Sequence, residues 1–136
     1  MNCSYFQSIE KVMNTSDAFL PASSLKVLRL FLPIYILFII WASLRTPTGS
    51  VSIAHFDKII HLGVYGLLAM VASLGWPQIS KLKIWVSALI FGGLMEVAQG
   101  TLSATRTPSF GDFAANGIGA LAALILVYFL NQFFTR

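Results

Sequence analysis

Four long apolar runs constrain this chain more than any other feature: roughly Val27 to Leu44, Ile59 to Trp76, Ile84 to Ala98 and beyond, and Phe113 to Leu130. Each is close to the ~20 residues that a helix needs to cross a hydrocarbon core about 30 Å thick. Lipid offers the backbone no hydrogen bonds, so a spanning segment is a helix or a strand of a closed barrel. None of the runs alternates strictly between apolar and polar, as a barrel strand would. The sequence therefore predicts an all-α membrane protein, a bundle of four transmembrane helices over about 27–44, 59–76, 84–104 and 113–130, with a polar tail over residues 1–26. Composition agrees, since 57% of the residues are hydrophobic and only 10% charged, against roughly 25% charged in soluble domains.

The other compositional signals mostly exclude. The net charge of +4 is spread over single or loosely paired basic residues, without the clustered basic face that nucleic-acid binding requires. Cys3 is the only cysteine, so no intrachain disulfide forms. A cleavable signal peptide would be apolar where this chain carries Glu10, Lys11 and Asp17. The first run thus reads as an uncleaved signal-anchor helix, and the segment before it as a cytoplasmic tail with one amphipathic turn around Phe6 to Met13.

Orientation follows from Lys and Arg, which are enriched in short cytoplasmic segments. With four spans, Lys11, Lys26, Arg29, Lys81, Lys83 and Arg136 share one side, and Arg45, Lys58 and Arg106 the other. Both termini are therefore expected in the cytoplasm. Trp41, Trp76 and Trp85 stand near span ends, where indole rings favour the interface.

The outward side holds both histidines, His55 and His61, and three of the five acids, Asp57, Glu96 and Asp112, along with Gln99 and Asn116. Several of these fall inside spans. From Ile84 to Met95 only twelve apolar positions precede Glu96, about 18 Å of helix, so Glu96 lies within the membrane. A carboxylate at that depth is expensive unless paired or protonated, and it marks a functional site or a structural interhelical pair. Beyond Glu96 the chain either continues as helix or re-enters as irregular backbone. Asp57 and His61 are i, i+4, as are Asp112 and Asn116, and Glu96 and Gln99 are i, i+3, so each pair shares a helix face. Asp112 has a second reading as part of a helix cap with Ser109. Gly92 and Gly93, the Ala115, Gly119 and Ala123 series and, more weakly, Gly63 and Gly66 let helices approach closely.

The order Asp57-Lys58-x-x-His61, Glu96-x-x-Gln99, Arg106, Asp112, Asn116 and Gly119 resembles the VanZ-like family of small bacterial membrane proteins, over about residues 55 to 120. Leu62 stands where relatives often carry an aromatic residue, and 102–105 lacks the aromatic or proline that commonly precedes the arginine. The resemblance implies a four-helix fold in the bacterial cytoplasmic membrane and a cell-envelope setting. Some relatives accompany resistance to glycopeptides, teicoplanin in particular.

Two main classes of function follow. In the first, a site at the outer leaflet binds or processes an amphiphilic envelope lipid or lipid-linked saccharide. Lys58 and Arg106 receive its anionic head, Gln99, Asp112 and Asn116 help to bind it, and Glu96, His61 and Asp57 orient it or move protons. In the second, the polar cluster holds the bundle together or presents a surface to a partner protein. A proton-coupled transporter component is a third reading, and so small a bundle would then have to oligomerise. Neither a GxSxG nor an HExxH signature occurs, so no nucleophile is singled out and the sequence leaves catalysis and binding both open. A metal site built from His55, His61 and carboxylates is a minor alternative, since neither histidine stands at a usual ligand spacing, and the expected metal and cofactor set is none.

Overall fold

The computed structural model describes residues 20–45, 56–102 and 108–134. Four helices make up nearly all of this: α1 (Ala22–Leu44), α2 (Phe56–Gly75), α3 (Lys81–Leu102) and α4 (Phe110–Phe134). Their 20 to 25 residues correspond to about 30–37 Å at 1.5 Å per residue. All four are long and apolar enough to cross a membrane. The chain is a multi-pass, all-α membrane protein. The Phe6 to Met13 turn lies outside the described residues.

Each helix begins before its expected apolar run. α1 begins at Ala22, inside the stretch assigned to the tail, and α3 continues unbroken through Glu96 to Leu102 without irregular backbone. Hydropathy marks the length of helix that faces lipid, whereas a helix also includes the polar turns at its ends. Local signals set the true limits. Gly75 ends α2, with Pro77 just beyond, where it cannot continue a helix. The Ser80 hydroxyl then accepts the amide of Lys83 at 3.3 Å, which caps α3. Arg29 donates from Nε to the Gly75 carbonyl at 2.8 Å, satisfying an acceptor that the end of α2 leaves open.

Consecutive helices run antiparallel, which makes α2 and α4 parallel neighbours, and these two pack most intimately. Gly66 and Gly119 meet backbone to backbone: a Cβ at Gly66 would come within 3.2 Å of the Gly119 carbonyl oxygen, and one at Gly119 would collide with the Leu62 carbonyl. Ala115 and Ala123 are buried on the same face of α4, as the small-residue series predicts. Gly63 departs from expectation, because nothing lies within 4 Å of where its Cβ would be. α1 packs at the side of the bundle through Tyr35 and Ile39, and the Tyr35 hydroxyl donates to the Val64 carbonyl at 3.1 Å. Its other faces expose Val27, Leu30, Ile34 and Leu37, which belong against acyl chains.

Trp85, near the start of α3, donates its indole N–H to the Gly117 carbonyl of α4 at 3.0 Å. Arg45 lies over the Trp41 ring, 4.4 Å from its centroid.

Candidate functional site

Antiparallel order brings the C-terminal ends of α1 and α3 together with the N-terminal ends of α2 and α4. His61, Glu96 and Asn116 each lie five or six residues in from those ends, about 8–9 Å at 1.5 Å per residue. The polar residues thus meet inside the bundle, not in the loops.

At the centre, His61 Nδ1 and Asn116 Oδ1 are 3.0 Å apart. A carboxamide oxygen only accepts, so the contact is a hydrogen bond in the tautomer that carries the proton on Nδ1. Asn116 is 1% exposed and fits because Gly92 faces it: a Cβ at Gly92 would stand 2.9 Å from Asn116 Nδ2. Glu96, 6% exposed, comes from the third helix. Its Oε1 stands 3.8 Å from His61 Nδ1, beyond hydrogen-bond reach. Its Oε2 accepts the Ser109 amide at 3.1 Å.

That last bond changes the reading of the α4 cap. The Ser109 hydroxyl accepts the Asp112 amide at 3.3 Å, which is one half of a capping box. The reciprocal bond to the Ser109 amide is made by Glu96, from α3, where a local box would use the acid at position 112. Freed from capping, the Asp112 carboxylate reaches Lys58 Nζ at 3.3 Å. Gly111 makes room for that lysine, whose Cε would lie 2.7 Å from a Cβ there. Asp112 is buried and Lys58 half-exposed, so the pair forms the mouth of the site.

Gln99 belongs to a different contact. It is buried, and its Nε2 donates to the Ser43 carbonyl at 3.2 Å, closing an open acceptor in the last turn of α1. Asp57 is exposed at the rim, yet its carboxylate, one ring nitrogen of His61 and the Asp112 carboxylate all lie within 4.8 Å of one another. The i, i+4 pairing of Asp57 with His61 therefore holds, and α4 adds a third ligand-capable group that spacing along the chain does not reveal. Arg106 and His55 lie outside the described residues.

Two polar atoms of the cluster, Glu96 Oε1 and Asn116 Nδ2, are buried without a hydrogen-bond partner among the described residues. Such atoms are rare and costly in a purely structural network. A cavity of about 230 Å³ opens between α1, α2 and α3, with Asp57, His61, Gln99 and Ser43 at its polar end and Phe38, Ile39, Ala42 and Val64 on its walls. Tyr65 also lines it, 3% exposed. It was legible as the next member of the Asp57, His61 stripe, four residues further on. Along the same three helices, nearer the opposite membrane face, lies a separate and larger apolar groove of about 380 Å³, lined by Ile36, Leu32, Leu68, Ala72, Phe91, Trp76 and Lys83 among others.

No family model matches the chain, and neither a curated protein nor a solved structure does. The fold and the cluster define a multi-pass membrane protein with a buried polar centre.

Proposed function

We propose that the chain is a VanZ-like protein of the bacterial cytoplasmic membrane, both termini in the cytoplasm, which binds the polar head of an amphiphilic envelope lipid at the outer leaflet. The observation that carries this reading is the shape of the α1–α2–α3 cleft. A cavity with Asp57, His61, Gln99 and Ser43 at its polar end and a separate apolar groove lie along the same three helices. A lipid phosphate or saccharide head meets His61 and Asp57 at the polar end, with Lys58 at the nearby mouth of the cluster, and its chain lies along the groove. Arg106 is the second cation of this region in the sequence and suits a phosphate through its planar fork. Processing of the head, by His61 or Glu96 as proton carriers, extends the same reading, as does an influence on susceptibility to teicoplanin-type glycopeptides.

The structural alternative has one specific observation behind it, the Glu96 bond to the Ser109 amide. Glu96→Gln separates the two, because glutamine keeps an acceptor for that amide while removing the charge. Native mass spectrometry of protein released from membranes is the test. The lipid reading expects a retained phosphate- or saccharide-bearing lipid, reduced at least about tenfold in Glu96→Gln and in Arg106→Ala at unchanged folded yield. Equal lipid retention in both variants, or loss of folded protein in both, would favour the structural reading.

A further inference from the structure

Three carboxylates, Asp57, Asp112 and Glu96, surround His61 at this end of the bundle, and Lys58 is the one cation among the described residues that pairs with any of them. Carboxylates in so partly buried a setting are expensive beside lipid unless they are paired with cations. From the geometry we infer a divalent transition-metal cation, of the Mn²⁺ or Zn²⁺ kind, bound by Asp57, His61 and Asp112.

The three ligand atoms lie within 4.8 Å of one another. Ligands bound at about 2.1 Å draw to roughly 3–3.5 Å apart around such a cation, and the exposed Asp57 side chain is free to close that gap. One imidazole with two carboxylates is a mixed nitrogen and oxygen set suited to Mn²⁺ or Zn²⁺. Asn116 Oδ1 stands 3.0 Å from His61 Nδ1 and accepts from Nδ1–H in the tautomer that leaves Nε2 for a cation, the usual arrangement behind a metal-bound histidine. Behind the ring stands Glu96, 6% exposed, whose Oε1 has no hydrogen-bond partner among the described residues and lies 3.8 Å from His61 Nδ1. Lys58, 3.3 Å from Asp112 Oδ1, holds the place of the cation and swings outward when it binds.

Three protein ligands leave coordination positions open, and a phosphate oxygen fills them readily. The cation thereby makes an anionic head compatible with an acidic cluster. Cation binding does not rest on the lipid reading and is measured without lipid.

Untagged protein, stripped with chelator and held in a neutral detergent, is titrated with Mn²⁺ while the six-line resonance of the free ion is followed. The expected result is one Mn²⁺ taken up per chain and displaced by Zn²⁺. Asp57→Asn, a rim substitution that leaves the core untouched, weakens uptake at least about tenfold, and Asn116→Leu, behind the histidine, weakens it by about 10–100-fold. Lys58→Met strengthens uptake, a direction that a merely structural Lys58–Asp112 pair would not produce. No stoichiometric uptake, uptake unchanged in Asp57→Asn, or weaker uptake in Lys58→Met would each overturn the assignment. If Mn²⁺ binds as expected while no lipid is retained in native mass spectrometry, the lipid reading fails and the cation site stands.

Discussion

At the scale of single residues, the centre of the molecule is a relay of partners drawn from different helices. Glu96 contributes one oxygen to the start of α4 through the Ser109 amide and leaves the other facing His61. Its two oxygens therefore answer differently to substitution. Glu96→Gln preserves the acceptor and is expected to change stability by less than about 1 kcal/mol, whereas Glu96→Leu leaves a buried amide unpaired and costs about 1–3 kcal/mol. Thermal unfolding in detergent measures both. Ser109→Ala removes the hydroxyl that accepts the Asp112 amide and is expected to cost about 1 kcal/mol by the same measurement. Which residues share a helix face was legible from spacing, as Asp57 with His61 and Asp112 with Asn116 prove. Which oxygen meets which donor was not. The Ser109 and Asp112 pattern predicts a local capping box, yet Glu96, thirteen residues upstream of Ser109, takes one of its bonds, because only tertiary packing decides which carboxylate is nearer.

At the scale of helices, the α2–α4 contact positions the site. Lys58 and His61 face Asp112 and Asn116 because Gly66 and Gly119 bring the two backbones together a turn or two further in. A side chain at Gly119 meets the Leu62 backbone, which cannot rotate away as a side chain would. Gly119→Val is expected to cost more than about 3 kcal/mol, at or above the usual range for overpacked cores. Gly63→Ala is expected to be neutral or to stabilise by up to about 1 kcal/mol, since alanine is the better helix former and the site is open. Unfolding in graded denaturing detergent compares them. Small-residue spacing revealed the α4 series because it sits on a buried face. It misassigned Gly63, because a glycine on a lipid-facing surface leaves the same trace in sequence as one at an interface. Span limits were short for a related reason: Lys81, Lys83 and Ser24 belong to helices but not to the apolar runs that hydropathy detects.

At the scale of the whole molecule, four antiparallel spans gather the polar residues at one end and leave the other end with Lys26, Arg29, Lys81 and Lys83. The basic end is expected to face the cytoplasm. Single cysteines placed at Ser50 and at Ser80, with Cys3 replaced by serine, should react oppositely with a membrane-impermeant maleimide, Ser50 labelling from outside intact cells and Ser80 only after permeabilisation. Equal labelling of the two would refute the topology. The central claim is that the α1–α2–α3 cleft receives a particular amphiphile, and a photo-crosslinking residue in the native membrane tests it most directly. Ala42 lines the polar end of the cleft, whereas Leu37, 66% exposed, lies on the outer face of the same helix. The account predicts that a crosslinker at position 42 captures one lipid class enriched over the bulk membrane, and that His61→Gln abolishes the enrichment. The same lipid profile at positions 42 and 37, unaffected by His61→Gln, would contradict it.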